Sequence, residues 1–548
     1  MPQEFIGIIF FVSAVLGILF WEKKQWKGDD LSDLKKLPEE FWDRKRNFIS
    51  IKKLFVKNLN YEANRHYIDD QTWSDLEMDK VFKKLDMTLS TPGEQRLYEL
   101  LRYPEMNEKL LLHRNEIIEF FQNNGETREK IREILAKMGR QSSGEILDLL
   151  YSKEKIDFNK KKLYDIFSIL AIGAAISIAF LGMQGFFMLI MISMINMYLH
   201  NNLNKEIQGS VKAITYLSNI ASASSKLCNM EDGVLEDYRK VLKENIAVAD
   251  VILKNSSMIG RVEGLDFIGD YINSVFLIQG RAYFKIMSNI SDSLEDIKSI
   301  YSVLGEIDAL ISVAMYRNNS KIFTVPEFHK GSKSIDISNG LNPLIIDGVP
   351  NPIHMGPKGV ILTGSNMSGK STYLRTVGVN ALMAQTIATV IAEEYKGDFF
   401  KIMTSISPKD DIEQGKSYYL GEAEAVRRIL MSVEDDTPVL CIIDEIFRGT
   451  NPIERVSASA EILNYLMEHN ALALVATHDL ELTDIVKKYY NPYYFSELVS
   501  EKEGLDFDYT IKEGVSNTRN AIKLLKYLGY PDSIIINAEK RIDEEKFL

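Results

Sequence analysis

Short unbroken apolar runs punctuate the C-terminal half of the chain, and each stops on polar residues. The first, Gly359 to Leu362, leads into "TGSNMSGKSTYLRTVG" (363–378) and predicts a buried strand, a glycine-bracketed turn and then a helix through "STYLRTVGVNALMAQ". Val439 to Ile443 predicts a second buried parallel strand, ending in Asp444 and Glu445. A third, "ALALVATHD", ends in His478.

Two longer apolar stretches follow a different rule. Ile166 to Leu199 contains no charged residue, and as one helix it would be roughly 50 Å long against a hydrocarbon core of about 30 Å. The Gly182 to Gly185 centre therefore predicts a turn between two short crossings that begin near Leu163 and finish near Asn202. No polar face recurs at helical spacing, which argues against a buried soluble hairpin. Phe5 to Trp21 is also apolar, with Glu4 before it and Lys23, Lys24 and Lys27 after it. A cleaved signal peptide has its basic residues first and small residues at a cleavage site, so this run reads as an uncleaved anchor. The positive-inside rule puts these lysines, and Lys160 to Lys162, in the cytoplasm. Three spans then satisfy charge and length, and return the rest of the chain to the cytoplasm.

The polar residues at the three strand ends carry the candidate chemistry. Gly364, four residues, then Gly369, Lys370 and Ser371 fit the phosphate-binding P-loop, in which glycines let backbone N–H groups converge on phosphate at a helix N-terminus. Lys370 would reach the outer phosphates, and the Ser371 hydroxyl would serve Mg²⁺. Asp444 would hold Mg²⁺ through water, and Glu445 would polarise the water that attacks the γ-phosphate. His478 is placed where a side chain could sense that phosphate.

Four segments, "LTGSNMSGKSTYLRTVGVNALMAQ", "DDIEQGKSYYLGEAEAVRRIL", "IIDEIFRGTNPIERVSAS" and "ALALVATHDLELTDI", together resemble, in order and spacing, the ATPase domain of MutS proteins, the DNA mismatch-repair ATPases related to the ABC superfamily. The tail "YTIKEGVSNTRNAIKLLKYLGYPDSIIINAEKRI" looks like the strand and helix pair that closes that domain and helps it dimerise. "STPGEQRLYELLRYPEMNEKLLLHRNEIIEFF" (90–121) resembles the start of the MutS core, and "IDALISVAMY" (307–316) the lever helix. The resemblance covers roughly residues 78–150 and 205–548.

It implies ATP and Mg²⁺ at Gly364, Asn366, Ser368, Gly369, Lys370, Ser371 and Thr372, with Asp444 for the metal, Glu445 as base and His478 as switch histidine. Ser417 matches the family serine that reaches the partner's nucleotide, so a homodimer is implied. Ser365 stands where the family usually has proline and Ser368 where glycine is common, and neither change removes a phosphate-facing N–H. The larger departures lie upstream. About seventy-five residues precede the core match, few for the family's mismatch-reading and connector domains; the Phe-x-Glu there, Phe20-Trp21-Glu22, ends the apolar run and is not read as the mismatch wedge, and the span between the core and the lever is short for a full DNA clamp. The expected organisation is an anchor over 1–27, a cytoplasmic helical region with the start of the core over 28–162, a transmembrane hairpin over 163–203, a helical core and lever region over 204–330, and an α/β P-loop ATPase with a parallel sheet over 331–548.

Composition adds little. The 548 residues are 45% hydrophobic and 26% charged, with a net charge of −12 that argues against a strongly DNA-coating surface without excluding a local basic groove. Cys228 and Cys441 lack ligand spacing and read as packing residues in a reducing compartment. "KVFKKLD" and "WDRKRNF" read as solvated helix faces. Two functions remain open: a MutS-like ATPase coupled to DNA at the membrane without mismatch specificity, or a nucleotide-driven membrane switch or scaffold acting on protein or lipid. An ABC transporter should show Leu-Ser-Gly-Gly-Gln where this chain has "DIEQGKSYYL", and is the weakest choice.

Overall fold

The computed structural model describes residues 31–59, 61, 65–141, 143–151, 158–230, 233–253, 267–365, 368–406, 418–434, 436–448, 450–500, 504–515 and 521–543. The apolar run Phe5 to Trp21, Asn366 and Ser417 lie outside them. The chain forms two compact units, one from Met1–Ala63, Asp86–Glu99 and Ile117–Met315, the other from Asn64–Leu85, Leu100–Glu116 and Tyr316–Leu548.

The described part of the first unit is helical, and the charge-free stretch folds into a hairpin, Phe158–Leu181 and Met183–Cys228, turning at Gly182 with φ 53°. The turn is shorter than the Gly182 to Gly185 expectation. Gly185 already belongs to the second helix, where a Cβ would lie 2.7 Å from the backbone of Ser177 and Ile178, so glycine there lets the two helices touch. Asn159–Leu181 and Met183–Asn202 are each long and apolar enough to cross a membrane, and only 22% and 11% of their most apolar windows are buried within the protein. Ile169, Phe180, Phe187 and Met191 point outward.

The second hairpin helix does not stop with its apolar stretch. It continues for 46 residues, about 69 Å at 1.5 Å per residue. Its far end buries Ala213, Ile214, Leu217 and Ile220 in a unit where it packs on helices Gly125–Met138 and Glu145–Leu150. The boundary near residue 203 read from the sequence marks a change of surroundings, while the backbone hydrogen bonds run through it unbroken.

Elsewhere in this unit, the buried Asp308 carboxylate on helix Leu294–Asn319 accepts hydrogen bonds from the Leu89 and Ser90 N–H groups and the Ser90 hydroxyl. Gly93 is required beside it, since a Cβ would fall 2.1 Å from Asp308 Oδ2. "WDRKRNF" is not a solvated helix face. Residues 44–47 are irregular, Arg44 pairs with the buried Asp86, and Arg46, 1% exposed, donates to Asp86 at 2.8 Å and to the Phe41 carbonyl at 2.8 Å. Of the lysines of "KVFKKLD", Lys80 and Lys83 are exposed as expected, whereas Lys84 is half-buried and donates to the Pro343 carbonyl at 3.0 Å.

The described residues of the second unit form two sheets. A small one has the order β1 (Glu327–Phe328), β5 (Glu394–Gly397), β2 (Ile335–Gly340), β3 (Asn351–Met355). The larger has the order β10 (Gly504–Glu513), β9 (Tyr490–Ser500), β4 (Gly359–Thr363), β8 (Ala471–Ala476), β7 (Val439–Asp444), β6 (Lys401–Ser405), parallel throughout except for the β9–β10 pair. Every residue of β4, β7 and β8 is buried, which is why these strands read as continuous apolar runs.

Residues 64–85 and 100–116, read from the sequence as part of the helical region, pack in this unit. Helix Asp70–Asp75 is capped by Asp69, whose carboxylate accepts from Thr72 N–H at 2.7 Å. The Asp75 carboxylate accepts from the Thr404 hydroxyl at 2.7 Å, Ile406 N–H at 3.0 Å and Gln71 at 2.9 Å, and its carbonyl accepts from Arg375 Nε at 2.8 Å. Arg428 ties Asp69 to the Thr404 carbonyl. Asp75→Ala leaves the Thr404 hydroxyl and the Ile406 N–H buried without their acceptor and should lower stability by about 3 kcal/mol. Urea denaturation monitored by tryptophan fluorescence checks this, and Asp75→Asn should lose less.

Candidate functional site

The three strand ends meet because their register is level. Leu362 of β4 pairs with Ala476 of β8, and Ala476 pairs with Asp444 of β7. The loop after β4 turns through Gly364 at φ 139° and Gly369 at φ 105°, conformations that L side chains rarely adopt, and delivers Lys370 as the first residue of helix Lys370–Ile387. A Cβ on Gly364 would meet the Phe495 carbonyl at 2.7 Å.

Lys370 is 5% exposed, and its ammonium donates to the Gly364 and Ser365 carbonyls at 2.8 Å each, with His478 Nε2 at 3.5 Å. The Ser368 hydroxyl donates to the Ser365 carbonyl at 2.8 Å. The Ser371 hydroxyl donates to the Asp444 carboxylate, itself 5% exposed. Thr372, one residue on, lines the same cleft.

Glu445 sits at φ 60° and Phe447 at φ 61°, both unusual for residues with a Cβ. The strained turn aims the Glu445 carboxylate between His478 and Arg448. His478 Nε2 lies 2.8 Å from Oε1, and Arg448 Nε lies 2.8 Å from Oε2. Burial pushes the Glu445 pKa up, but the His478 hydrogen bond and the charges of Arg448, His478 and Lys370 outweigh it and hold the carboxyl below its ordinary range.

These groups border a cleft of about 780 Å³, within the usual span of ligand pockets. Ser365, Gly369, Lys370, Ser371, Thr372, Asp444 and Glu445 line it. Gly364 and Ser368 shape its loop, and His478 reaches it through Glu445 and Lys370. The residues present fit a nucleoside triphosphate and Mg²⁺: a glycine-bracketed helix N-terminus with a buried lysine suits phosphate, and one carboxylate touching one hydroxyl suits a hard ion that keeps most of its waters.

Arg448, Arg375 and Tyr509 also line the cleft, and the sequence reading gave them no role. Arg448 was within reach, three residues beyond Glu445 in the same motif. Tyr509 was not, because it arrives from β10, where its ring approaches within 3.3 Å of a Cβ on Gly369.

Residues 360–546 match the family model of MutS domain V. The chain is 30% identical over 285 residues to the DNA mismatch repair protein MutS of Petrotoga mobilis, covering 49% of this chain and 34% of that protein. The proteins of the same name from Fervidobacterium nodosum and Aquifex pyrophilus are each 31% identical, over 48% of this chain and 33% and 31% of their own lengths. The chain thus spans about a third of the length of the curated relatives it matches.

A carboxyl with a depressed pKa stays ionised down to lower pH and loses that form as pH falls through the depressed value. Arg448→Ala removes one of the charges that depress Glu445, so the Glu445 carboxyl should titrate at higher pH. NMR titration of that carboxyl from pH 3 to 8 on both proteins checks the shift.

Proposed function

Because the C-terminal half of the chain belongs to the MutS family, we propose that the whole is a membrane-anchored ATPase of that family, working as a homodimer and coupling ATP turnover to DNA binding. The observation that carries the ATPase reading is the convergence of Lys370, the Ser371–Asp444 pair and Glu445 on one cleft. Gly364, Gly369 and the backbone around them receive the phosphates, and Asn366 and Thr372 complete the grip. Lys370 exchanges two neutral carbonyl acceptors for phosphate oxygens, a stronger charge-assisted pairing. Ser371 and Asp444 would hold Mg²⁺, which would neutralise charge at the phosphates. Glu445 accepts the proton of the attacking water on a carboxylate that His478 and Arg448 also contact. His478, paired with Glu445, is the group that reports the outermost phosphate.

Ser417 of a second copy completes each site in this reading. The C-terminal helices support a dimer, since Tyr527, Leu528, Tyr530, Ile534 and Ile536 are exposed there in one short span. The exposed hairpin supports membrane insertion, with the lysines at 160–162 and the ATPase in the cytoplasm and Phe5 to Trp21 as a further anchor. DNA affinity without a mismatch wedge would come from phosphate contacts and carry no mismatch preference.

Lys370→Ala should weaken ATP binding, whereas Glu445→Gln should keep binding and abolish most hydrolysis, leaving a closed dimer. Nucleotide binding and phosphate release measured on each variant test the division of roles, and parental hydrolysis by Glu445→Gln would refute it. Binding of matched, mismatched, branched and single-stranded DNA across a salt series should fall steeply with salt and not single out the mismatch. Intact ATPase activity with no DNA binding at low salt would favour a membrane switch acting on protein or lipid.

A further inference from the structure

The hairpin carries a third element against it. Asn196 lies inside the charge-free stretch and is completely buried, and its amide donates to the Val275 carbonyl at 2.6 Å and to the Phe167 carbonyl at 3.3 Å. Val275 is the penultimate residue of helix Phe267–Phe276. Leu277, at φ 53°, breaks that helix, and a second one, Ile278–Ile290, begins at once. Asn273, 2% exposed, accepts from Gln279 N–H at 2.8 Å and donates to the Gln279 side chain at 3.0 Å, which fastens the corner to itself.

The depth of this corner follows from its partners. On helix Ile278–Ile290, Phe284 meets the Tyr164 ring at 5.5 Å, and Arg281 pairs with Asp165 at 2.9 Å and reaches the Ser168 hydroxyl at 2.9 Å. Asp165 is the last charged residue before the charge-free stretch. Arg281 reaches Ser168 and Val275 is tied through Asn196 to Phe167, so the corner lies against the first turn of that stretch, at its edge. Residues 271–280, "YINSVFLIQG", also contain no charge and lie between Asp270 and Arg281. Ten such residues cannot cross a bilayer, but they suit a re-entrant or interfacial segment. Interrupted helix is tolerated at membrane depth only where the freed backbone groups find partners in the protein, and Asn196 is that partner for the Val275 carbonyl.

We propose that residues 271–280 are a re-entrant corner that enters the bilayer beside the hairpin, on the side of Lys160 to Lys162, and presents Tyr271, 65% exposed, to lipid. This rests on the hairpin spanning a membrane. Its ligand is the boundary between headgroups and acyl chains, where tyrosine is favoured. Asn196 is a buried latch that holds the corner.

The test is site-directed spin labelling of the full chain, with Cys228 and Cys441 replaced by alanine, in phosphatidylcholine vesicles containing phosphatidylglycerol. Labels at Tyr271→Cys, Ile169→Cys, Phe187→Cys and Lys130→Cys are compared for collision with oxygen and with a water-soluble nickel chelate. Tyr271→Cys should follow the hairpin positions, with high oxygen and low nickel accessibility, and Lys130→Cys should show the reverse. Nickel accessibility at Tyr271→Cys equal to that at Lys130→Cys, with the hairpin labels still protected, would overturn the corner alone. Loss of protection at Ile169→Cys and Phe187→Cys as well would overturn the membrane reading beneath it. Adding Asn196→Leu should raise nickel accessibility at Tyr271→Cys severalfold and leave the hairpin labels unchanged; an unchanged Tyr271→Cys label would remove Asn196 from its role.

Discussion

The register of three buried parallel strands is the constraint from which the site follows. Backbone hydrogen bonds lock β4, β8 and β7 side by side, and the pairing of Leu362 with Ala476 and of Ala476 with Asp444 puts their C-terminal ends at one level. The loop that carries Lys370, the acidic turn at Asp444 and Glu445, and His478 have no other reason to meet, being separated by some seventy and thirty residues of chain. Ligands in open α/β sheets bind outside the carboxyl ends of such strands, and the cleft lies there. Within the cleft the polar groups satisfy one another: the ammonium rests on loop carbonyls, the hydroxyl on Asp444, and the Glu445 carboxylate between His478 and Arg448.

The same unit is fastened from outside its own motifs. Asp75 belongs to a segment nearly three hundred residues upstream of the P-loop, yet it binds Arg375 on the P-loop helix and Thr404 and Ile406 at the end of β6. Two cleft-lining residues, Arg375 and Ile406, thereby share one buried anchor. In the other unit a single helix serves two environments. Met183–Cys228 exposes its apolar side chains over its first half and buries Ala213, Ile214 and Leu217 over its second, so whatever surrounds the first half is mechanically continuous with the packing of the second.

Much of this was legible in the chain. Unbroken apolar runs announced β4, β7 and β8, because a strand buried on both faces has no polar side to show. Motif spacing announced Lys370, Ser371, Asp444, Glu445 and His478, and the absence of charge announced the hairpin. Arg46 was read as solvated because a run of basic residues usually is, and the buried Asp86 that receives it lies forty residues away. The end of the hairpin helix was placed where hydrophobicity ends, although helix continuity is a matter of the backbone.

The sequence by itself determined which segments could be strand, P-loop or membrane helix, since these depend on local periodicity and on groups adjacent in the chain. The tertiary structure alone decided that Arg448 and His478 flank Glu445, that Tyr509 reaches Gly369, that Asp75 grips β6 and that Asn196 holds Val275. All but the Tyr509 contact are pairings of polar groups at a few ångströms, set by how the chain packs, and an amino-acid pattern records the donor and the acceptor without recording that they face each other.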